Sequence, residues 1–464
     1  MNEQLKRSSR TGPEHVIIIG GGASGVLLAA LLLRQCHDRL RVTIIEGRHM
    51  LGCGVAYSTE DADHLLNTRV ANMSAYPDKP DHFVRWLQVR QPGQQNTSDR
   101  FVSRKLYGEY MSGLLTPWRQ MEEGVLNCIH QTCRRLDDLP DGVAAHLDDG
   151  RVVVGDIAVL ATGHALPGAD PAGLVQGAWE AVDILPKDER VVVIGSGLSM
   201  VDHAVSLLKS GHEGEIVVVS RRGQLPREHA TGTALDIPAD QVPLGAPVSQ
   251  LMSWLRHQVK LAEAKGGTWR DAVDGLRPHL RRIWRSLPIE ERKRFLRHGA
   301  SWWEVHRHRL PPESSRLVHS ALRKGQIRLI SASFQRGERS DAGQLQAIIR
   351  RRGSDEETAI AAARIIDCRG IRHDPEKHAT PLIADLLQQG AARLDPLRLG
   401  LDVSGDCELL DREGTPNPRI YAMGPVSRAA FWEITAIPDI RDQAKWLAGR
   451  IVSVRSEPSL LRRH

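Results

Sequence analysis

The chain has 464 residues, 25% of them charged and 41% hydrophobic, with 62 Lys and Arg against 56 Asp and Glu for a net charge of +6. That is the composition of a globular protein of roughly three compact units, at about 150 residues each, and it excludes a disordered chain, a collagen and a disulfide-dense scaffold. An excess of +6 spread over this length is too weak to argue for nucleic acid as a partner. The six cysteines, at 36, 53, 128, 133, 368 and 407, form no CxxC pair and no zinc-type cluster with histidine, so no metal site is expected and a reducing, cytoplasmic setting is.

The uncharged run Val16 to Leu33 follows Lys6, Arg7 and Arg10 and has the length of a membrane segment. Gly20, Gly21, Gly22 and Gly25 interrupt it, however, and no small-residue cleavage site closes it. It reads instead as a buried strand from His15 to Ile19, a glycine turn, and a helix from Val26 to Arg34. A second strand from Arg41 to Glu46 ends in an acid. Gly20-x-Gly22-x-x-Gly25 is the dinucleotide fingerprint in full context: a tight turn, a close backbone approach to a pyrophosphate, and tight helix–strand packing. The helix N-terminus faces the phosphates, and Glu46 stands where an acid accepts bonds from ribose hydroxyls.

Further on, Val143 to Gly163 reads as a hairpin across Asp149-Gly150 feeding a strand from Asp156 to Ala161, then Thr162-Gly163. A Pro/Gly/Ala-rich linker covers 165–186. The βαβ pattern then repeats: strand Arg190 to Ile194, turn Gly195 to Gly197, helix Ser199 to Lys209 and strand Glu215 to Ser220. Met200 takes the third-glycine position, which sets this helix slightly further from its strand. Ser220-Arg221-Arg222 replaces the acid, and a serine with two arginines binds a 2′-phosphate that a carboxylate would repel. NADP(H) is therefore favoured over NAD(H). Residues 235–325 leave the βα rhythm and read as helical, with Leu280, Ile283, Trp284 and Leu287 at i, i+3, i+4 and i+7. Short strands follow over Ile327 to Gly370. A last strand, Arg419 to Met423, leads through Gly424-Pro425 to a helix from about Pro438 to Ile451 with proline in its first turn.

The expected fold is α/β, with two Rossmann-like three-layer dinucleotide-binding domains. The FAD domain takes 1–170 and 367–464; the NADPH domain, 186–366, is inserted in it and carries the helical insertion 235–325. Two modules with different second-strand ends imply two nucleotides, FAD on the acidic one and NADPH on the basic one, and hydride transfer between them. Cys128 and Cys133 lie far from the segment that normally reaches a flavin, so they read as buried structural cysteines and not as a redox dithiol. Molecular oxygen is then the expected acceptor, activated as a C4a-(hydro)peroxyflavin.

Several longer stretches carry a resemblance: Gly52-Cys53-Gly54-Val55-Ala56-Tyr57, His64-Leu65-Leu66-Asn67, Met73-Ser74-Ala75 and Pro80-Asp81-His82-Phe83-Val84-Arg85-Trp86-Leu87. Ala161-Thr162-Gly163, Ser220-Arg221-Arg222-Gly223, Trp303-Glu304-Val305-His306-Arg307-His308-Arg309 and the run from Trp432 to Arg441 complete it. Over roughly residues 14–450 the chain resembles the FAD/NAD(P)-binding family of single-component flavin monooxygenases, which includes FAD-dependent urate hydroxylases and aspartate-type N-hydroxylases. The resemblance implies that Gly20, Gly22, Ser24, Gly25 and Glu46 hold the ADP half of FAD, with Gly54, Asn67 and Met73 near the ribityl and ring. Thr162 and Gly163 match the motif closing the first FAD segment, and Gly424 with Glu433, Ile434 and Thr435 approaches the flavin at the base of the last helix. The resemblance likewise implies that Gly195, Gly197, Ser199, Ser220, Arg221 and Arg222 bind NADPH, with NADH as the alternative. Pro425 stands where many flavoproteins place an acid, and Arg369 where a small residue is usual.

No catalytic residue is identified by the resemblance; Arg307, His308 and Arg309 are candidates for substrate contact, alongside a solvated face or phosphate contacts to NADPH. The expected activity is an NAD(P)H-consuming monooxygenase acting on a small anionic, nitrogen-containing molecule. Urate hydroxylation to 5-hydroxyisourate is favoured, with aspartate-type N-hydroxylation and a non-oxygenating electron-transfer or regulatory role as alternatives. Neither nucleic acid nor membrane is expected as a partner. Residues 277–325 hold thirteen Lys and Arg against four acids, an excess of nine that suits NADPH phosphates or an anionic substrate.

Overall fold

The computed structural model describes residues 14–121, 124–164, 170–180, 185–370 and 375–453. Glu14–Ile19, Ala23–Cys36 and Leu40–Ile45 form the first βαβ unit, with the two strands parallel and in register from Glu14 against Leu40 to Ile19 against Ile45. The eighteen-residue uncharged run is thus a strand, a turn and a helix whose apolar side chains are buried on both faces of a sheet. Among the described residues no helix is long and apolar enough to cross a membrane.

The first sheet runs Glu408–Leu410, Pro416–Ala422, Ile157–Leu160, Glu14–Ile19, Leu40–Ile45, Leu126–Ile129. Every pair is parallel except the first, so strands near both ends of the chain lie side by side, with Pro416–Ala422 against Ile157–Leu160. The helix Ile437–Ser453 packs on Ala23–Cys36, and Ala444, Leu447 and Ala448 join one large core with Leu27, Leu28 and Leu32. A separate three-stranded antiparallel sheet, Cys133–Leu139, Gly142–Leu147 and Val152–Gly155, contains the expected hairpin.

The second sheet has seven strands in the order Glu357–Ala361, Leu345–Arg351, Ile327–Arg339, Ile216–Ser220, Val191–Ile194, Arg364–Asp367, Gln176–Gly177. Its centre repeats the first unit, Val191–Ile194 and Ile216–Ser220 flanking the helix Leu198–Lys209. The architecture is α/β, as expected, with two helix-covered sheets whose central strands are parallel and whose outer strands include antiparallel pairs.

Four local readings change. The strand Ile327–Arg339 is long, not short: it is parallel to Ile216–Ser220 up to Ser331, then passes a bulge between Phe334 and Arg336 into an antiparallel meander with Leu345–Arg351. The edge strand Leu126–Ile129 was not legible, because its burial is only partial and does not alternate. The helix Leu280–Ser286 stops before Leu287, since Pro288 drives the preceding residue into the extended region (ψ 131°); Leu287 is nonetheless buried. Finally, Cys133 is buried but Cys128 is exposed, so only one of the pair is a core cysteine; all six thiols are free. The expected linker at 165–186 falls partly outside the described residues.

Candidate active site

Two glycines define the first cradle. Gly20 sits at φ +108°, and a β-carbon there would lie 2.3 Å from the carbonyl oxygen of Ala161. A β-carbon at Gly25 would lie 2.0 Å from the Gly20 oxygen. The turn closes against the strand end Ala161-Thr162-Gly163 only because both side chains are missing. Gly22 caps the helix Ala23–Cys36 with no side-chain hydrogen bond, which leaves the first helical N–H groups open to an anion. Gly54 faces Gly22 closely enough that a β-carbon on Gly22 would be 3.4 Å from the Gly54 α-carbon. Glu46 accepts from the Gly21 N–H at 2.8 Å and the Arg48 N–H at 3.0 Å, which fixes its carboxylate at the end of the second strand. This open, glycine-walled groove at a helix N-terminus fits a pyrophosphate.

The C-terminal segment closes on the same groove. Gly424, at φ +68°, packs so tightly on Ser24 that a β-carbon would meet the Ser24 Oγ at 2.3 Å. Its N–H donates to Gln443 Oε1 at 2.8 Å, and Arg441 Nη1 donates to the Ser74 carbonyl at 2.9 Å, next to the buried Met73. Glu433 and Ile434 are buried and Thr435 half-buried at the start of the helix Ile437–Ser453. Gly20, Gly22, Ser24, Gly25, Gly54, Thr162, Gly163 and Gly424 are therefore gathered at one end of the first sheet. Asn67 lies on the side facing the second sheet: its carbonyl accepts from His229 Nε2 at 2.9 Å. Burial drives the His229 pKa down to about 4, with the charges of Arg309 and Arg69 adding to the effect against the Asn67 bond.

The second cradle repeats the first. Gly195 is at φ +102° with its would-be β-carbon 2.5 Å from the Cys368 oxygen, so Cys368-Arg369-Gly370 occupies the place of Ala161-Thr162-Gly163. Arg369 is accommodated by folding back onto Asp367, Nη2 to Oδ2 at 2.6 Å. Gly197 caps its helix with no side-chain bond, borders open space, and is followed by the half-buried Ser199. Met200 is wholly buried in that module's core and stands where Gly25 stands in the first. Ser220 Oγ accepts from the Gly223 N–H, Arg221 is exposed, and Arg222 donates to the Arg297 carbonyl at 3.1 Å.

The helical insertion was expected as part of the second module, and it is fastened to the C-terminal segment that closes on the first cradle. Trp284 stacks on Trp432 at 4.6 Å and donates from Nε1 to the Ala429 carbonyl at 2.7 Å. Trp303 Nε1 donates to Glu433 Oε1 at 2.5 Å. Arg307 lies 3.3 Å from Glu433 and 3.7 Å from Asp439, and Arg277 lies 3.6 Å from Asp439. Burial raises the Asp439 pKa against the pull of Arg277 and Arg307. Of the three candidates, only Arg307 reaches Glu433. His308 pairs with Glu304 at 3.1 Å, and Arg309, 3% exposed, forks onto Asp274 at 2.8 and 3.0 Å. The helix ends at Arg307, so three consecutive residues diverge to three partners. Trp303 and Asp439 fall in stretches that carry the resemblance and Arg277 in the basic run, but none of the three was expected to meet this cluster; their partners lie over a hundred residues away, and no local pattern pairs them.

Residues 17–165 match the family model described as FAD-NAD(P)-binding. A comparison with curated proteins found no match. Among solved structures, the chain is similar to the reduced form of ornithine hydroxylase from Pseudomonas aeruginosa, with a TM-score of 0.64 and 15% identity over 95% of this chain and 98% of that one. It is similar to ornithine N-hydroxylase from Kutzneria sp. 744 with reduced FAD, NADP+ and L-ornithine, at 0.64 and 15% over 96% and 100%. It is also similar to L-lysine 6-monooxygenase from Pseudomonas syringae, at 0.61 and 14% over 94% and 98%. The segment 17–165 is thus an FAD-NAD(P)-binding module, set in a chain that has the two-domain fold of these flavoenzymes.

Proposed function

We propose that this protein is an FAD-dependent, NADPH-consuming monooxygenase that hydroxylates the nitrogen of a small amine. FAD takes the first cradle, spanning 1–170 and 367–464, and NADPH the second, spanning 186–366. The observation carrying this reading is the pair of duplicate cradles with opposite second-strand ends. Glu46 suits an unphosphorylated ribose, and Ser220, Arg221 and Arg222 a phosphorylated one. FAD would supply the redox chemistry, taking electrons from NADPH and passing them to oxygen.

The residues of the chain hold, orient and shield. The N-terminal turn of Ala23–Cys36 receives the pyrophosphate, and Ser24 with Gly424 brings the two FAD segments together. Trp284 and Trp432 pack beside Glu433 and exclude water from that side. The overall change replaces N–H by N–OH: one oxygen atom forms the N–O bond, the other leaves as water, and NADPH supplies the electron pair.

Amine hydroxylation is supported over urate hydroxylation by two facts. The structurally similar enzymes named above are ornithine and lysine hydroxylating enzymes. The cations considered for an anionic substrate already face carboxylates, Arg307 on Glu433 and Asp439, His308 on Glu304 and Arg309 on Asp274. NADPH oxidation followed in parallel with urate, aspartate, ornithine and lysine tests this. Acceleration by an amine with a hydroxylated product is expected; acceleration by urate alone would overturn it.

A further inference from the structure

The helix Leu198–Lys209, which opens the second cradle at Gly197, carries three polar side chains on one face. Asp202, Ser206 and Lys209 stand four and three residues apart, and each meets the first module. Asp202 pairs with Arg104 at 2.9 Å, the two side chains 15% and 19% exposed. The Ser206 hydroxyl donates to Asp61 and accepts from His64 Nε2 at 2.8 Å. Lys209 donates to Asp63 at 2.6 Å. The partners belong to one braced segment. Arg104 donates from its backbone N–H to the His64 carbonyl at 2.8 Å and from Nε to the Leu65 carbonyl at 3.2 Å. Two residues further on is Asn67, whose carbonyl accepts from His229.

These bonds matter because little else registers the second sheet on the first. The two apolar cores of the second sheet share no residue with the core of the first. The stacking of Trp284 on Trp432 belongs to the insertion, a different element. Modules that meet without a large apolar interface move relative to one another by default. Directional bonds fix the offset instead, since a hydrogen bond weakens steeply once its distance or angle departs from the ideal. The exposed Lys209–Asp63 pair adds little. The shielded Arg104–Asp202 pair and the Asp61–Ser206–His64 triplet carry the register.

We propose that Asp202 and Ser206 are positioning residues for hydride transfer from NADPH to FAD. Through Arg104, Asp61 and His64 they hold the helix that receives NADPH at one offset from the segment leading to Asn67 and Met73. The helix is a rigid arm: Ser206 stands nine residues from Gly197, about 13 Å along its axis. A slip at Ser206 is therefore delivered whole to the second cradle. Hydride transfer needs the reacting atoms about 3–3.5 Å apart, and a misplacement of about 1 Å costs up to about 100-fold in rate. This rests on the NADPH-consuming reading and deepens it by assigning the residues that set the spacing of the two nucleotides.

Anaerobic rapid-mixing reduction of the FAD-loaded enzyme by NADPH tests this with Asp202→Asn, Ser206→Ala and Arg104→Met. At saturating NADPH, Asp202→Asn is expected to slow flavin reduction roughly tenfold or more. FAD content and the Kd for NADP+ by calorimetry are expected to stay within about twofold of wild type, since both cradles are intact. The long-wavelength absorbance that reduced flavin and NADP+ give when their rings touch should weaken in step with the rate. Arg104→Met combined with Asp202→Asn should be no slower than the slower single variant, because the two act as one pair. Ser206→Ala, expected to slow reduction roughly threefold or more, keeps the test open if Asp202→Asn does not fold. Unchanged reduction in both variants, or a loss of NADP+ affinity matching the loss of rate, would overturn the proposal. A wild-type enzyme that binds both nucleotides and is reduced by dithionite but not by NADPH would overturn the reading on which it rests.

Discussion

Replacing Gly22 by alanine separates cofactor binding from folding. Gly22 has φ −70°, which any residue adopts, and its new β-carbon would lie 3.4 Å from the Gly54 α-carbon and 3.8 Å from the Gly54 nitrogen. Both are ordinary contacts, so the apoprotein should lose less than about 0.5 kcal/mol. The methyl nevertheless occupies the gap through which a pyrophosphate reaches the helix N-terminus. Inserting a methyl group into a packed contact costs roughly 1–3 kcal/mol, which is about 5- to 150-fold in Kd. Gly25→Ala is the contrast: its β-carbon would lie 2.0 Å from the Gly20 oxygen, so it damages the fold itself. Flavin-fluorescence titration gives the FAD affinity, and urea denaturation of the apoprotein gives the stability. Gly22→Ala should lower the first and spare the second, and Gly25→Ala should lower both. Unchanged FAD affinity in Gly22→Ala would refute the placement of the pyrophosphate.

Arg222→Ala should raise the KM for NADPH about 10- to 100-fold in steady-state assays, since a charge-assisted bond is worth roughly 1.5–3 kcal/mol, and leave the KM for NADH unchanged. Arg309→Met removes a forked pair in which Arg309 is buried and Asp274 is partly open to water; losing charge-assisted bonds of that kind costs about 1.5–3 kcal/mol, so the urea midpoint should fall while the KM for substrate does not move. His229 is neutral in the folded state with a pKa of about 4, against about 6.5 when unfolded. Between those values the unfolded chain binds a proton that the folded one does not. Its contribution is complete above pH 6.5 and is lost as pH falls towards 4, by at most about 3 kcal/mol. His229→Gln should flatten that limb of the stability–pH curve, measured by urea denaturation at pH 4.5, 5.5 and 7.

Both nucleotide modules were legible because their steric demands are local. Gly20 and Gly25 meet within five residues, and the strand, turn and helix follow one another without interruption. The difference between Glu46 and Ser220-Arg221-Arg222 was legible for the same reason. The docking of the helical insertion was not, because Trp284 meets Trp432, and Arg277 meets Asp439, across about a third of the chain length in sequence. The Arg307-His308-Arg309 run was visible as charge but not as function. Where each side chain goes depends on the helix ending at Arg307, and that decision separates the one that reaches Glu433 from the two that pair with Glu304 and Asp274. The excess of nine positive charges over 277–325 likewise reads differently in place: Arg277, Arg307 and Arg309 face acids in the interior, so that part of the charge is not available to attract an anion.

The most direct measurement is turnover of the purified, FAD-loaded enzyme with NADPH and isotopically labelled molecular oxygen, using the amine that most accelerates NADPH oxidation, with the product read by mass spectrometry. One labelled oxygen atom bound to nitrogen, formed in step with NADPH consumed, is the predicted result. Hydrogen peroxide as the sole product with every amine tested, or a protein that retains no FAD, would contradict it.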